Sequence, residues 1–405
     1  MTKGRYFTYV LVLGLLTAIG PFSIDMYLPG FEDIAAGLGT TTAMVTLSLS
    51  SYFVGISIGQ LLYGPLLDRF GRKKPLYAGL ALYIVATFVC MQAKDIHTLI
   101  VLRFIQALGS CAAQVAAMAM VRDIFGEKDS ARVYSLLLLV LGASPMCAPT
   151  AGGYIVTLWG WRIVFLVLLI VGVLITVLTI FFLPESYAAD KQFSLKPLPI
   201  LRNFLSVLRV RRFLVYVLVE AFAFAGLFAY VSGSPTVFMG YFHLDKRTYG
   251  WVFAFLSVAF IVLSQLNGLL LRRFRSEQIV RVALLGQVVV ALLFFAGNLA
   301  AWWGLGYTIF FLFLFLTFLG FAYPNATALC MAPFSRNAGT ASALLGFFQL
   351  GVGTLASVAV SVFSNGTSMP MVAVIAVSSV GAMIILAAGQ GSRATRLSGS
   401  DLSTR

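Results

Sequence analysis

Three charged side chains stand inside long apolar runs and are the residues best suited to chemistry. They are Asp25, Arg103 and Glu220. An ionisable group in hydrocarbon costs at least about 2.5–3.5 kcal/mol, so such a residue is a functional candidate by default. A buried carboxyl group can bind a proton or a cation, and a buried guanidinium group requires partners for its charge.

Asp25 and Arg103 are expected at the same depth in a membrane. At about 1.5 Å per helical residue, each lies roughly 10 Å from one surface. An opposite charge lowers the cost of burying both groups. The sequence therefore predicts that Asp25 is a proton-coupling group whose proton affinity is set by Arg103 and by substrate. Two alternatives remain: a static ion pair that joins the first and fourth runs, and a carboxylate in a wet vestibule.

Glu220 is the other acid within an apolar run. Counted from Arg212, it lies about 12 Å from the opposite surface. One interpretation is a site for a cationic group or a second proton. The other is a hydrogen-bonded carboxylate near the mouth of the protein.

Aromatic and neutral polar side chains in these runs predict a mostly apolar wall with a few hydrogen-bonding groups. Such a wall suits an amphipathic small molecule. For any single residue of the wall, ordinary helix packing is the alternative. The substrate-binding candidates are Tyr27, Gln106, Glu220, Tyr230, Tyr323, Asn325 and Gln349.

A polar loop between the second and third runs holds the most specific pattern in the chain. Its glycines permit a tight turn and close helix approach, and its Asp68 can lie at the positive end of a helix dipole. Arg72 is predicted to pair with Asp123, at the end of the fourth run. The alternative is an ordinary positively charged loop. The candidate latch residues are Gly64, Asp68, Arg69, Gly71, Arg72 and Asp123.

The fifth run contains a second specific pattern of prolines and small residues. A proline in mid-helix removes a hydrogen bond and kinks the helix, and small residues let a partner backbone approach closely. The pattern predicts a moving interface between two halves of the protein, with passive packing as the alternative. Its residues are Gly142, Pro145, Pro149, Gly152 and Gly153.

The elements that position these residues follow from composition. Of 405 residues, 60% are hydrophobic and only 10% are charged, against about 25% charged in a soluble domain. This excludes a soluble enzyme, a disordered chain and a secreted disulfide scaffold. About twelve apolar runs are long enough to cross a bilayer, and each must be helical because hydrocarbon offers no partners to a free backbone. The predicted fold is an all-α polytopic membrane protein with twelve transmembrane helices.

One long polar stretch divides the runs six and six. The predicted organisation is an N-terminal six-helix bundle over 1–187, a cytoplasmic linker over 188–211, a C-terminal six-helix bundle over 212–390 and a cytoplasmic tail over 391–405. A faint repeat, in which the segment 64–70 aligns with 268–274, supports a duplicated half.

The basic residues set the expected orientation. Nearly all of them fall in loops on the side of both termini, which is therefore predicted to be cytoplasmic. The net charge of +14 is interpreted as this bias, with no nucleic-acid partner. His97 and His243 share no cluster with Cys, Asp or Glu, and motifs for nucleotides or zinc are missing. No metal, cofactor or enzymatic activity is predicted.

These patterns resemble those of the major facilitator superfamily. The loop from Gly64 to Lys74 resembles the signature between its helices 2 and 3. The segment from Leu99 to Gly109 is similar to its helix 4 motif, and the segment with Pro145 and Pro149 to the helix 5 motif of its antiporters. Segments around Asp25, Pro235, Pro324 and Gly339 look like the Bcr/CflA group of proton-coupled drug exporters.

The resemblance implies two six-helix bundles that work by alternating access. It implies export of small amphipathic drugs or metabolites in exchange for protons, by a monomer in the bacterial inner membrane. Asp25 would be the coupling carboxylate and Arg103 its partner, and Asp68, Arg72 and Asp123 would form a cytoplasmic latch. Some related exporters carry a second acid near the position of Thr17, which is uncharged here. The alternatives are a proton-coupled importer on the same fold and, least favoured, a membrane-embedded enzyme or receptor.

Overall fold

A computed structural model describes residues 3–125, 127–189, 196–300, 304–334 and 338–400. Residues 190–195 of the predicted linker and 401–405 of the predicted tail lie outside these ranges. Twelve long helices cover most of the described chain. They are α1 (Lys3–Asp25), α2 (Thr42–Phe70), α3 (Lys73–Met91), α4 (Ile96–Ile124), α5 (Glu127–Trp159), α6 (Arg162–Phe182), α7 (Arg211–Pro235), α8 (Lys246–Gln265), α9 (Ser276–Leu299), α10 (Leu305–Met331), α11 (Ala338–Val362) and α12 (Met369–Ser400).

Short helical segments complete the described regions. A 3₁₀ turn (Leu28–Gly30) and a helix (Phe31–Gly37) follow α1, and a π-helical segment (Thr236–Tyr241) continues α7. A helix at Asn267–Leu270 follows α8, and a twelve-residue helix at Pro197–Leu208 lies between α6 and α7. Within the ranges given above every regular element is helical, so the prediction of an all-α polytopic fold is confirmed.

Apolar composition and local capping explain the helices. Ten helical segments are long and apolar enough to cross a membrane within the described residues, the most apolar being α6 with a mean hydropathy of 3.3. Thr41 caps α2 by accepting a hydrogen bond from the Met44 amide, and Asp95 caps α4 by accepting one from the Thr98 amide. At the other end of α2, Gly71 has a φ of +83°, a conformation that suits glycine and stops the helix.

The helices pack as two groups, and the groups contact each other along two pairs of helices. In the first group α4 packs against α2 and α3, and α1 packs against α5. In the second, α7 packs against α11 and α12, and α9 packs against α10. Contacts between the groups run mainly along α2 with α11 and α5 with α8. We call these groups the N-terminal half and the C-terminal half.

The glycines of α5 meet neighbouring backbones closely. A Cβ atom at Gly152 would overlap the main-chain carbonyl of Met26, and one at Gly153 would overlap that of Lys246. At Gly142 the neighbour is the Ile261 side chain, 3.1 Å from such a Cβ atom. The close approach that the small residues of α5 predict is therefore present, against α8 and against the segment after α1.

Because the helices alternate in direction, the protein has a terminal side, where α1 begins, and a distal side, where α1 ends. The halves contact each other on the distal side. Lys246 Nζ lies 2.7 Å from a carboxylate oxygen of Asp33, and Ser361 Oγ donates to the Ala43 carbonyl at 2.6 Å. These contacts join the halves on the distal side.

Candidate functional site

Asp25 lies where the two halves meet. It is the last residue of α1, and only 5% of it is exposed. Among the described residues it has no ion-pair or hydrogen-bond partner. Its carboxyl group lies within electrostatic range of the hydroxyl groups of Tyr230 and Tyr249, which belong to the C-terminal half. An acid on one half therefore lies near two tyrosines of the other.

Arg103 does not pair with Asp25. It is fully buried, and Nη1 donates to Gln106 Oε1 at 2.6 Å while Nη2 donates to the Ser23 carbonyl at 2.9 Å. The ion pairs between described residues do not include it. The expectation of an Asp25–Arg103 ion pair is therefore wrong for this structure. The Ser23 side chain contacts the Tyr83 hydroxyl, and at 3.6 residues per turn the side chain of Asp25 points about 200° away from it, so α1 turns the carboxyl group away from this cluster.

Aromatic rings provide the remaining environment of Arg103. Its guanidinium carbon lies 4.2 Å from the ring centroid of Tyr52, 4.7 Å from that of Tyr27 and 6.0 Å from that of Phe165. Rings at such distances attract a cation through their negative faces. The charge of Arg103 is thus stabilised by carbonyl groups and rings, without an acid.

Hydroxyl groups extend this cluster through three helices. Gln106 Nε2 donates to Thr87 Oγ1 at 2.8 Å, and the Tyr83 hydroxyl lies 2.8 Å from Ser23 Oγ. The network joins α1, α3 and α4 around Arg103. Sequence reasoning missed Ser23, Thr87 and Tyr83, since isolated hydroxyl residues are frequent in apolar helices.

The predicted substrate wall is divided among several places. Tyr27 and Gln106 both contact Arg103, and the Tyr27 hydroxyl also lies 2.7 Å from Ser48 Oγ. Tyr230 stacks on Phe253 at 5.1 Å, and its hydroxyl is buried without a partner.

In the C-terminal half, the Tyr323 ring lies 5.0 Å from that of Phe224, and Gln349 lies in α11. Asn325 is 1% exposed and donates to Asn267 Oδ1 at 2.6 Å and to the Phe321 carbonyl at 2.9 Å. Asn325 therefore holds α10 to the segment after α8. The structure does not gather the seven candidates into one surface.

Glu220 is buried within the C-terminal half. It is 2% exposed, Oε1 accepts a hydrogen bond from Thr327 Oγ1 at 3.0 Å, and Oε2 has no partner. Glu220 and Tyr323 line a narrow gap between α7, α9 and α10 that is too small to hold a water molecule. The acid therefore lies inside the bundle and not at its mouth.

The Arg72 cluster forms on the terminal side, as its charges predict. Arg72 Nε donates to Asp123 Oδ2 at 2.7 Å and Nη1 donates to Asp68 Oδ1 at 2.8 Å. The guanidinium also lies over the Tyr187 ring at 4.2 Å. Burial disfavours the charge, but the hydrogen bonds that Arg72 donates to Asp123 and Asp68 outweigh this effect and raise the pKa of Arg72.

Glu185 completes this cluster and was missed by sequence reasoning. Its two carboxylate oxygens accept from the backbone amides of Arg72 and Lys73 at 2.8 and 3.1 Å. These partners all belong to the N-terminal half and the segment directly after α6. Arg69 lies in the last turn of α2. Gly64 has open space where a Cβ atom would be, so the close helix approach predicted there is not observed.

A chain of three serine hydroxyls links the halves in the distal parts of α2, α7 and α11. Ser357 Oγ lies 2.6 Å from Ser50 Oγ on α2 and 2.6 Å from Ser232 Oγ on α7. Beside it, the rings of Phe53 and Phe228 meet edge to face at 4.5 Å. For metal ions, the part of the chain described here has no group of three or more His, Cys, Asp or Glu residues that could act as ligands.

Known proteins share sequence similarity with most of this chain. The sequence profile of the Major Facilitator Superfamily matches residues 13–357. The uncharacterized MFS-type transporter YdgK of Bacillus subtilis is 32% identical over 376 residues, which cover 91% of this chain and 92% of that protein. A bicyclomycin resistance protein homolog of Haemophilus influenzae is 30% identical over 370 residues, covering 90% of this chain and 92% of that protein.

Solved structures share the fold. A bacterial homolog of the human lysosomal transporter Spinster, in an inward-facing and unoccupied conformation, aligns with a TM-score of 0.71 at 15% identity, covering 96% of each chain. At this identity the likeness concerns the fold alone.

Proposed function

The chain belongs to the Major Facilitator Superfamily, and we propose that it exports small amphipathic compounds in exchange for protons by alternating access. As a member it is a multi-pass membrane transporter of small molecules. The resistance protein homolog supports a drug-like substrate. The observation that carries proton coupling is Asp25, a nearly buried acid without a cation partner at the contact between the halves.

The position of Asp25 suggests how the proton is coupled to movement. Closing the distal side around Asp25 removes it from water. This costs less when the carboxyl group carries a proton than when it is charged. A proton on Asp25 therefore favours closure, while its release favours separation of Asp25 from Tyr230 and Tyr249. If substrate binds one of these two states more tightly than the other, substrate binding shifts the balance between the states and so changes the affinity of Asp25 for a proton.

The remaining clusters have supporting roles in this proposal. The Arg103 network holds α1, α3 and α4 together, so that the N-terminal half moves as one body. Contacts of α2 with α11 and of α5 with α8 provide the surfaces on which the halves rock. The Arg72 cluster is a latch on the terminal side, and the basic loops support a cytoplasmic position for that side in the inner membrane.

The proposal is tested with the purified chain in vesicles loaded with bicyclomycin, a neutral compound. If antiport operates, imposing a proton gradient that is more acidic outside should accelerate loss of bicyclomycin. The control is the Glu277→Gln variant, which alters a half-exposed acid paired with Arg212 and should behave like the wild type. If the rate of bicyclomycin loss does not depend on the proton gradient, antiport is contradicted. If the same gradient drives uptake of bicyclomycin, the protein is an importer.

A further inference from the structure

We infer that the connection between α8 and α9, residues 266–275, binds an anionic phospholipid in the membrane leaflet on the terminal side. We call this stretch the α8–α9 turn. The inference goes beyond the proposed export function and does not depend on it. It depends on the chain being a multi-pass membrane protein, because a turn between two helices of such a protein lies at the membrane surface.

The charge of the α8–α9 turn is positive and without acidic partners. Arg272, Arg273 and Arg275 are exposed, and the four ion pairs formed by described residues do not include them. The nearest acid along the chain, Glu277, already pairs with Arg212 at 3.1 Å. Guanidinium groups bind phosphate through two parallel hydrogen bonds. Three of them so close together therefore favour a ligand that carries a phosphate group.

Apolar side chains between the arginines favour a lipid over a soluble anion. Leu266, Leu269, Leu271 and Phe274 are exposed, Leu269 to 57% and Phe274 to 51%. A Cβ atom at Gly268 would meet open space, so other described residues do not cover the turn at that point. At a membrane surface, large apolar side chains insert among the acyl chains while basic groups stay at the level of the head groups. The mixture of side chains in the turn therefore matches both parts of a phospholipid.

Hydrogen bonds hold the turn in a fixed shape. The backbone amides of Arg273 and Phe274 both donate to the Leu270 carbonyl, at 3.0 and 2.9 Å. Asn267 is 7% exposed, and its Oδ1 accepts from Asn325 Nδ2 on α10 at 2.6 Å. The arginines thus extend from an ordered backbone that is fixed to the C-terminal half. This order lowers the entropy lost when a head group binds.

The repeated segment gives the turn a role separate from the latch. Residues 268–274 align with residues 64–70, and Arg272 stands where the N-terminal half has Asp68. Asp68 accepts a hydrogen bond from Arg72 at 2.8 Å, whereas a guanidinium group has no oxygen with which to accept one. The C-terminal copy therefore cannot form the Arg72 cluster, and its arginines are available to an external partner.

The experiment compares an anionic with a zwitterionic phospholipid. Binding of phosphatidylglycerol and of phosphatidylcholine with the same acyl chains is measured by native mass spectrometry on the purified full chain in detergent. We expect the wild type to bind phosphatidylglycerol at least about tenfold more tightly than phosphatidylcholine. The triple variant Arg272→Gln, Arg273→Gln and Arg275→Gln should lose this preference. An unchanged preference in the triple variant overturns the inference.

The control is a second triple variant, Arg5→Gln, Arg202→Gln and Arg209→Gln. It removes the same number of exposed positive charges on the terminal side, but outside the α8–α9 turn. It should keep the preference for phosphatidylglycerol. An equal loss in both triple variants would mean that any basic residue on this side attracts the lipid, which refutes a site in the turn.

A further variant keeps every charge, because basic residues also guide the insertion of a membrane protein. Leu269→Ser with Phe274→Ser should weaken the binding of phosphatidylglycerol severalfold. Wild-type affinity in this variant contradicts a contact with the acyl chains. Glycerophosphoglycerol, the head group without acyl chains, should compete poorly with the lipid. If it displaces phosphatidylglycerol at an equal concentration, the turn binds soluble anions and the phospholipid site is refuted.

Discussion

Arg103 is anchored to α1 through the main-chain carbonyl of Ser23, 2.9 Å from Nη2, and not through the side chain of Asp25. The arginine therefore keeps its partners when the charge of Asp25 changes. An ion pair would have made every protonation of Asp25 cost the unpairing of a buried guanidinium group. The observed arrangement lets the acid titrate while the N-terminal half stays intact.

The first prediction concerns the acid itself. Asp25→Asn imitates a permanently protonated carboxyl group. It should reduce bicyclomycin movement driven by a proton gradient to the level seen in vesicles that contain no protein. Exchange of labelled for unlabelled bicyclomycin should continue, because it needs no net proton transfer. If gradient-driven transport survives in Asp25→Asn, another group couples the proton.

The second prediction separates Arg103 from Asp25. Arg103→Met removes two hydrogen bonds from a charged donor, each worth about 1.5–3 kcal/mol, and should lower the thermal unfolding temperature in detergent clearly. Adding Asp25→Asn should not rescue the loss, because the two side chains are not paired. Rescue in the double variant would show coupling between the two residues. Arg212→Lys, in a half-exposed ion pair, is the control and should have little effect.

The third prediction uses the close contact between α5 and the residue after Asp25. Gly152→Ala places a methyl group against the Met26 carbonyl and should cost about 1–3 kcal/mol through overpacking. It should also reduce transport, because Asp25 shifts with that segment. Gly64→Ala is the matched control, since a Cβ atom there has open space. Equal stability and transport in the two variants would mean that the contact is unimportant.

The fourth prediction concerns closure of the distal side. Asp33 and Lys246 form a partly exposed ion pair between the halves, worth about 0.2–1 kcal/mol. Lys246→Ala should therefore raise the reactivity of a cysteine introduced on the distal side by a few-fold at most. Exchanging the two charges, Asp33→Lys with Lys246→Asp, should return the reactivity toward the wild type. If the introduced cysteine is as reactive in the charge-exchanged variant as in Lys246→Ala, the ion pair does not contribute to closure.

The fifth prediction concerns pH. Because the pKa of Arg72 is raised above its usual value, the favourable contribution of its ion pairs is present below the ordinary arginine pKa and is lost only as the pH rises through the raised value. Arg72 thus stays charged throughout the physiological range. Arg72→Lys should lower transport by the same factor at every pH tested there. A changed pH profile in Arg72→Lys would contradict this assignment, whereas Asp25→Asn is expected to change the profile.

The fold could be predicted from sequence because membrane helices leave little choice. Long apolar runs, their even number and the turn residues between them determine an all-helical bundle. The contact of Arg72 with Asp123 was also predictable, since Arg72 follows the end of α2, Asp123 lies in the last turn of α4 on the same side, and the two carry opposite charges.

The partners of Arg103 could not be predicted in the same way. Depth along a helix is set by counting residues, and it predicts Arg103 near the end of α1, where Nη2 contacts the Ser23 carbonyl. Direction around the helix also matters, and carbonyl groups and rings compete with acids for a guanidinium group. The sequence does not show which backbone carbonyl accepts a hydrogen bond from Arg103.

The three-serine chain between the halves has a direction. A hydroxyl group carries one hydrogen atom, and that of Ser50 is directed to the Thr46 carbonyl. The arrangement that satisfies every donor has Ser357 donating to Ser50 and Ser232 donating to Ser357. In this arrangement the junction is polarised from the C-terminal half toward the N-terminal half, so Ser232→Ala removes a donor while Ser50→Ala removes an acceptor. These two substitutions of the same size at one seam should have unequal consequences.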